Sequence, residues 1–211
     1  MKSKKEISEI FDRIYSLYPD TKTELDYETS FQFLVAVIMS AQATDKQVNR
    51  INDSFFRKIR EPKDIMNMSL EDIENELKSL NYYKHKSLYI KQVSQKLHDE
   101  FNSVIPDNLD ALIRLPGIGI KTAKVVLGVL YDAPYVGVDT HVHRVTNRLG
   151  IVKTKTPEET DRILEKILTI EQKRKMHHAL VLFGRYNCTA RKPKCKGCKA
   201  INLCSFEMKN I

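Results

Sequence analysis

Four cysteines lie close together near the end of the chain, and their spacing could hold a metal. Cys188, Cys195, Cys198 and Cys204 form the pattern C-x6-C-x2-C-x5-C, and the sequence contains no other cysteine. Four thiolates could bind zinc or an iron–sulfur cluster, and the spacing does not choose between the two. Disulfides and free thiols are the alternatives. Disulfides are disfavoured because all four cysteines lie within 17 residues of a chain that we expect to be cytosolic.

The segment around these cysteines also carries the net charge of the chain. Residues 171–211 contain ten Lys and Arg against two Asp and Glu, a difference of +8 that equals the net charge of the whole chain, whereas residues 1–170 contain 25 of each. Arg191, Lys192 and Lys194 lie between the first two cysteines, where a bound metal would fix the loop. This pattern predicts phosphate contacts and a nucleic-acid partner, with a solubilising tail as the alternative.

A glycine-containing turn comes directly before a lysine that could act as a nucleophile. Residues 115–121 read LPGIGIK and lie between two helical patterns. Gly117 and Gly119 permit a tight turn, and they let backbone N–H groups approach a phosphate at the start of the second helix. We expect Lys121 in the first turn of that helix, where its amine could attack an aldehyde-like carbon. An ordinary helix–helix turn and a solvated lysine are the alternatives.

An aspartate follows 18 residues later, at the start of another helical pattern. Asp139 is a favoured N-cap residue, and its second oxygen could still support a cationic transition state or transfer a proton. His141 and His143 are two residues apart, so they point away from each other on a helix and do not form a metal pair. We assign them to packing or phosphate contact, and we expect Arg144 to contact nucleic acid.

The elements that must position these residues are predicted to be helices. Apolar residues recur at spacings of three and four in Ile7, Ile10, Phe11 and Ile14, and a further apolar stripe comprises Leu88, Val93, Leu97 and Phe101. Four pairs match an N-cap followed three residues later by an acid or amide: Thr44 with Gln47, Ser69 with Asp72, Asp107 with Asp110, and Thr156 with Glu159. No strand pattern appears, so we predict an all-α fold.

Length and composition exclude several classes of protein. The chain has 211 residues and 42% hydrophobic residues, which is enough for a buried core. No apolar run approaches the roughly 20 residues that a membrane-spanning helix requires. We therefore expect no membrane insertion, and a cytoplasmic protein rather than a secreted one.

Three motifs occur together and in one order: residues 115–123, residues 138–144 and the four cysteines. In this combination the chain resembles endonuclease III of the helix-hairpin-helix DNA glycosylase superfamily. The similarity extends to the SAQATD segment at residues 40–45 and the GRYNC segment at residues 184–188, so it covers nearly the whole chain. The resemblance implies an all-α, two-lobed glycosylase fold with a four-cysteine iron–sulfur loop at the C-terminus. The six-helix barrel with the hairpin would span residues 23–134, and residues 1–22 and 135–211 would form the cluster domain.

The resemblance also implies a cofactor, a reaction and a partner. The four cysteines would hold a [4Fe-4S] cluster. Lys121 would attack C1′ of a damaged nucleotide, with Asp139 assisting, to remove oxidised pyrimidines through a Schiff base and cleave the strand by β-elimination. The partner would be double-stranded DNA with oxidised pyrimidines or abasic sites, bound by a monomer associated with the nucleoid. Lys121 itself argues against the related adenine-mismatch glycosylases, which usually lack this lysine.

Two regions of the chain would fill the space left by the extruded nucleotide. By family position Gln42 would enter the base stack from one side and the segment of residues 81–86 from the other, with Tyr82 as the DNA-contacting residue of that segment. The chain departs from the usual family pattern at Asn81, where a glycine is common, at Tyr82 and Ser87, and at Ile120, where an arginine commonly precedes the lysine. These departures concern substrate preference rather than the reacting groups. Without the resemblance, Tyr82 would be interpreted as surface packing.

Two other classes of function need fewer of these residues. A non-catalytic DNA-binding protein would need the hairpin and the basic segment but not Lys121 or Asp139. A zinc-ribbon interaction module would need only the cysteines. Borohydride trapping separates the first from a lyase, and the colour of the purified protein separates the second from an iron–sulfur protein.

Overall fold

The structure is a computed structural model that describes residues 2–19 and 21–210. Within these residues the chain is helical and has no β-strand, so the prediction of an all-α fold is confirmed. The α-helices are α1 (Lys4–Tyr15), α2 (Ser30–Met39), α3 (Asp45–Phe55), α4 (Pro62–Asn67), α5 (Leu70–Leu77), α6 (Tyr83–Phe101), α7 (Leu109–Leu112), α8 (Ile120–Tyr131), α9 (Thr140–Arg148), α10 (Pro157–Ile167) and α11 (Ile170–Leu182). A π-helical turn (Phe183–Asn187) follows α11, and a 3-10 turn (Ile201–Leu203) lies among the cysteines. The chain forms two compact units, residues 24–131 and residues 1–23 with 132–211.

Capping side chains determine where many of these helices begin. The predicted caps Thr44, Ser69 and Thr156 are confirmed, because each accepts a hydrogen bond from the backbone N–H three residues later. The prediction for Asp107 is wrong, since α7 begins one residue later with Asn108 as its N-cap. The Oδ1 atom of Asn108 accepts a backbone N–H at 2.9 Å. Both side chains can cap a helix, and the local sequence does not decide between them.

Helix α2 forms the centre of the unit made by residues 24–131. Its residues from Phe31 to Met39 are all buried, as the nearly continuous apolar sequence FQFLVAVIM requires. Helices α6 and α8 both pack against it. The one buried amide in this run, Gln32, donates from Nε2 to the backbone oxygens of Phe56 at 2.9 Å and Ile59 at 2.8 Å, which removes the cost of burying it.

Helix α6 corrects one of the predicted core stripes. Val93 and Leu97 are buried as predicted, but Leu88 is 39% exposed. The buried face of α6 runs through Ser87 and Ile90, so Leu88 falls on the neighbouring face of the helix.

The other unit combines α1 with the C-terminal helices. Helix α1 packs against α11, and α9 packs against α10, α11 and the π-helical turn. The predicted stripe Ile7, Ile10, Phe11 and Ile14 is buried in the core of this unit. Polar contacts join the same regions: Arg13 Nη1 donates to the backbone oxygen of Lys199 at 2.9 Å, and Tyr18 Oη donates to Asn187 Oδ1 at 2.5 Å. The first helix is therefore tied to the cysteine segment.

Candidate functional site

The turn between α7 and α8 depends on Gly117. Its φ angle is +75°, in the left-handed region that glycine enters without strain. A Cβ atom at this position would lie 2.7 Å from Cδ2 of Tyr89, closer than real Cβ contacts allow. Both the backbone conformation and the packing on α6 therefore require glycine here. A charged side chain also contacts this turn, because Nζ of Lys96 donates a hydrogen bond to the backbone oxygen of Arg114 at 3.2 Å.

Gly119 and Lys121 lie on the exposed side of this turn. Nothing lies within 4 Å of the position that a Cβ of Gly119 would occupy, so the backbone at the start of α8 is open. The first N–H groups of a helix have no acceptor within the helix, and they bind anions well. Lys121 is the second residue of α8 and is exposed. An open helix start and an exposed amine therefore lie two residues apart.

Asp139 is the N-cap of α9. Its Oδ1 accepts a hydrogen bond from the backbone N–H of Val142 at 2.8 Å. The side chain is half-buried, and among the described residues its Oδ2 accepts no hydrogen bond. The carboxylate can therefore cap the helix with one oxygen and retain the other for chemistry. Asp139 belongs to the unit of residues 132–211, whereas Lys121 belongs to the unit of residues 24–131.

Arg144 is bound to the backbone near the first cysteine. Its Nη2 donates to the oxygen of Gly184 at 2.7 Å, and its Nε donates to the oxygen of Cys188 at 3.1 Å. Nη2 also lies 3.1 Å from Nδ1 of His141. Burial lowers the pKa of the Arg144 guanidinium. His143 instead contacts α10, where its Nδ1 lies 2.7 Å from Oγ1 of Thr160. The two histidines thus have separate partners, and a DNA contact by His141 or Arg144 stays a prediction.

The four cysteines line one cavity. Cys188, Cys195, Cys198 and Cys204 all border it, and none forms a disulfide. The π-helical turn delivers the first of them, because the N–H of Cys188 donates to the oxygen of Phe183 at 2.7 Å. Burial raises the pKa of the Cys198 and Cys204 thiols. Across residues 2–19 and 21–210, no three His, Cys, Asp or Glu side chains are arranged to hold a single metal ion.

The loop between the first two cysteines has a defined shape. Thr189 Oγ1 donates to the oxygen of Lys192 at 2.6 Å, and the N–H of Lys194 donates to the oxygen of Asn187 at 2.8 Å. Pro193 is buried beneath it. The three cations of this loop, Arg191, Lys192 and Lys194, are exposed. They lie on the surface of a braced loop, where they can reach an anion.

Sequence reasoning missed Arg148, the last residue of α9. Its guanidinium donates to the backbone oxygens of Thr189 at 2.7 Å and Ala190 at 2.8 Å. These acceptors lie more than 40 positions further along the chain, so no local pattern points to them. The available signal was that Arg148 is four residues after Arg144, which places both on the same face of a helix.

Gln42 and Tyr82 share an unusual backbone conformation. Their φ angles are +54° and +58°, and both side chains are exposed, with Tyr82 62% accessible. Non-glycine residues in the left-handed region are uncommon and are enriched at functional sites. Both lie in turns of the 24–131 unit, directly after Ala41 and Asn81. The two residues assigned to opposite sides of the base stack are thus both held in a strained turn.

None of the helices in the described residues is long and apolar enough to cross a membrane.

The model of the HhH-GPD superfamily of base excision DNA repair proteins matches residues 35–169. Endonuclease III of Bacillus subtilis is 37% identical over 201 residues, which cover 95% of this chain and 92% of that protein.

Two solved structures of endonuclease III with DNA are also similar. The protein in a non-covalent complex is 36% identical to this chain, with a TM-score of 0.91. The match covers 97% of this chain and 96% of the endonuclease III chain. A trapped covalent intermediate has the same TM-score and coverage with 37% identity. The similarity in sequence and fold extends over nearly the whole length of both proteins. The chain therefore belongs to the endonuclease III family, within the HhH-GPD superfamily of base excision DNA repair proteins.

Proposed function

We propose that this protein removes oxidised pyrimidines from double-stranded DNA and then cleaves the strand 3′ to the abasic site, acting as a monomer. Family membership supports a DNA glycosylase of base excision repair. A similar endonuclease III has been trapped in a covalent intermediate with DNA, which supports a covalent step here as well. The basic segment with exposed Arg191, Lys192 and Lys194 supports binding to a polyanion.

The observation that carries this proposal is the exposed Lys121 beside the open start of α8. A phosphate held by the N–H groups near Gly119 brings the attached sugar close to the start of the helix. Lys121 is the second residue of that helix, so its amine is the nearest side-chain nucleophile in the sequence of α8. Phosphate binding and attack by the amine are therefore assigned to neighbouring positions at the start of α8. A single rigid helix would hold the sugar and the amine in a fixed relative orientation.

The damaged nucleotide must leave the base stack before this amine can reach it, because C1′ is inaccessible within a duplex. Gln42 and Tyr82 are proposed to occupy the space that the nucleotide leaves. Both are exposed and held in left-handed turns, so their side chains project from short, constrained segments. Tyr82 offers an aromatic face for stacking on a neighbouring base.

The chemistry proceeds in two bond-breaking stages. Nζ of Lys121 forms a bond to C1′ while the bond from C1′ to the base breaks, and the base leaves with the electron pair and takes up a proton. Asp139 stabilises the positive charge that develops on the sugar through its free carboxylate oxygen. The attached amine then passes a proton to O4′ as the bond between C1′ and O4′ breaks, which opens the sugar ring and leaves a Schiff base between Lys121 and C1′. This acidifies the C2′ proton, whose loss expels the 3′ phosphate.

The four cysteines fit an iron–sulfur cluster. Their thiols surround one cavity without forming disulfides, and four cysteine thiolates are the ligand set that such a cluster takes. Cys188, Cys195, Cys198 and Cys204 would each supply one thiolate to a [4Fe-4S] cluster. When bound, this group would brace the surrounding loops and take no part in breaking the bonds of the substrate.

Substitution of Lys121 by Gln tests the assignment of the nucleophile. Glutamine keeps much of the bulk but cannot form a Schiff base, so borohydride should trap no covalent complex on abasic duplex DNA, while binding persists. The matched control is Lys63→Gln, since Lys63 is also exposed and is the second residue of its helix, α4. Trapping at the normal level in Lys121→Gln would place the nucleophile elsewhere.

Metal analysis tests the cofactor. Protein purified anaerobically from cells supplied with iron should be yellow-brown and contain about four iron atoms per chain. Stoichiometric zinc under these conditions would instead identify a single-ion site. Cys198→Ser should lower the iron content, because it removes one of the four thiolates.

A further inference from the structure

Arg148 joins the end of α9 to the loop that follows the first cysteine. Besides its two hydrogen bonds to the oxygens of Thr189 and Ala190, its Nη1 lies 3.5 Å from Sγ of Cys188. The planar guanidinium also lies over the ring of Phe206, 4.3 Å from its centroid. One side chain therefore contacts a cysteine thiol, two consecutive backbone groups and an aromatic ring.

The backbone of Arg148 contacts the other end of the cysteine segment. Sγ of Cys204 lies 3.4 Å from the oxygen of Arg148, and Phe206 follows two residues after this cysteine. Arg148 thus contacts both the first and the last of the four cysteines. Only a planar group with several donors can satisfy neighbouring carbonyl acceptors while it stacks on a ring, and a lysine ammonium cannot do this.

The three exposed cations of the loop start directly after the residues that Arg148 holds. Ala190 is followed by Arg191, Lys192 and Lys194. The hydrogen bonds to residues 189 and 190 fix the direction in which the chain enters this stretch. The internal bond from Thr189 Oγ1 to the oxygen of Lys192 then sets the curvature of the loop. Loss of the guanidinium would remove the two hydrogen bonds that hold residues 189 and 190 to α9, and only the bond from Arg144 to the oxygen of Cys188 would remain at this end of the loop.

We propose that Arg148 is a positioning residue that holds the loop of residues 189–194 in the shape that binds DNA phosphates. This inference rests on the proposed function, because it assumes that the cysteines carry a cluster and that the loop cations contact DNA. Arg148 acts through the loop, and its own guanidinium is occupied by protein groups.

The test uses Arg148→Lys, which leaves the net charge unchanged. Affinity for an undamaged duplex and for a duplex with an abasic-site analogue is measured across a salt series, together with iron content. We expect iron content near that of the wild type and weaker binding to both duplexes. The slope of log K against log salt should flatten by roughly two units, because about two phosphate contacts are lost. The matched control is Arg13→Lys, since Arg13 also donates to a backbone oxygen in the cysteine segment, that of Lys199, but not to this loop.

A double-mutant cycle separates positioning from a direct phosphate contact. Lys192 and Lys194 are changed to Gln in the wild type and in Arg148→Lys. If Arg148 acts by holding the loop, the double substitution should flatten the slope in the wild type but cause little further change in the variant. Fully additive effects, or a normal slope in Arg148→Lys alone, would overturn the proposal.

Two further measurements keep the outcome unambiguous. If Arg148→Lys loses iron, the same cycle is run with Phe206→Leu, which removes the stacking surface and leaves every hydrogen bond donor in place. Wild-type protein that lacks iron or does not bind duplex DNA would contradict the proposed function itself. If the wild-type protein contains iron and binds duplex DNA, but the effects in the double-mutant cycle are additive, only the proposed role of Arg148 is contradicted.

Discussion

Helix α8 and helix α9 carry the two candidate catalytic residues, and their N-termini differ in how the backbone is satisfied. Helix α9 is capped by Asp139, whose carboxylate accepts a backbone N–H at 2.8 Å and places a negative charge near the positive end of the dipole. Helix α8 follows Gly119, which has no side chain to serve as a cap, and its first turn contains Lys121 rather than an acid. Local helix stability is therefore favoured in α9 and not in α8.

This difference indicates where an external anion can bind. The start of α9 already has an internal carboxylate, so a phosphate there would meet a like charge. The start of α8 has open space around Gly119 and no acidic residue in its first turn. An absent cap is a small loss of stability, and it leaves the N–H groups available to a ligand.

The largest expected effect comes from Asp139→Asn. Asparagine is as good an N-cap as aspartate but lacks the charge, so the free energy of unfolding should fall by only a few tenths of a kcal/mol. Loss of the negative charge should slow base release by roughly a hundredfold or more, because the developing positive charge on the sugar is no longer stabilised. Single-turnover excision from a duplex with an oxidised pyrimidine measures this rate, and chemical denaturation measures the stability.

Asp139→Ala provides the comparison for that variant. It removes both the cap and the charge, so it should also lower the free energy of unfolding by about 1 kcal/mol. Normal base release in Asp139→Asn would leave Asp139 with a capping role only. The two helix starts would then differ in stability but not in chemistry.

A smaller effect is expected from Gly119→Asp, which gives α8 the kind of cap that α9 has. The new carboxylate would compete with a phosphate for the first N–H groups and would repel it. We expect duplex affinity to fall about tenfold for damaged and undamaged DNA alike. Gly119→Ser is the control without a charge. Unchanged affinity in Gly119→Asp would show that the start of α8 does not bind phosphate.

The smallest effect is expected for the stability of Gly119→Ser. The serine hydroxyl can cap α8, and the space around the position accommodates its side chain. The free energy of unfolding should rise by a few tenths of a kcal/mol, measured by urea denaturation. A clear decrease in stability would mean that α8 does not gain from a cap at this position.

Features that depend on near neighbours in sequence could be predicted. The caps Thr44, Ser69 and Thr156 follow a rule that spans three residues, and they are confirmed. The same rule placed the start of α7 one residue too early, because Asp107 and Asn108 can both act as caps. Leu88 is apolar but 39% exposed, and the neighbouring buried position is occupied by Ser87, whose polar side chain does not indicate burial.

Features that depend on distant parts of the chain could not be predicted. The contacts of Arg148 with residues 189 and 190 depend on how α9 packs against the π-helical turn after α11. The left-handed conformations of Gln42 and Tyr82 run against the local preference of both residues, so the surrounding fold must impose them. Gly117 was recognised as a turn residue, but its close approach to Tyr89 is a tertiary contact.

The packing of α1 against α11 has a consequence for synthesis on the ribosome. Residues 24–131 can emerge and fold as one unit, because this continuous segment forms a compact unit. Helix α1 is made before its packing partners, because its apolar face of Ile7, Ile10, Phe11 and Ile14 is buried among residues made more than 100 positions later. This face therefore stays exposed during most of translation. Helix α1 is thus made long before its partners, and a nascent chain stalled before α11 would present this face to chaperones or to other chains.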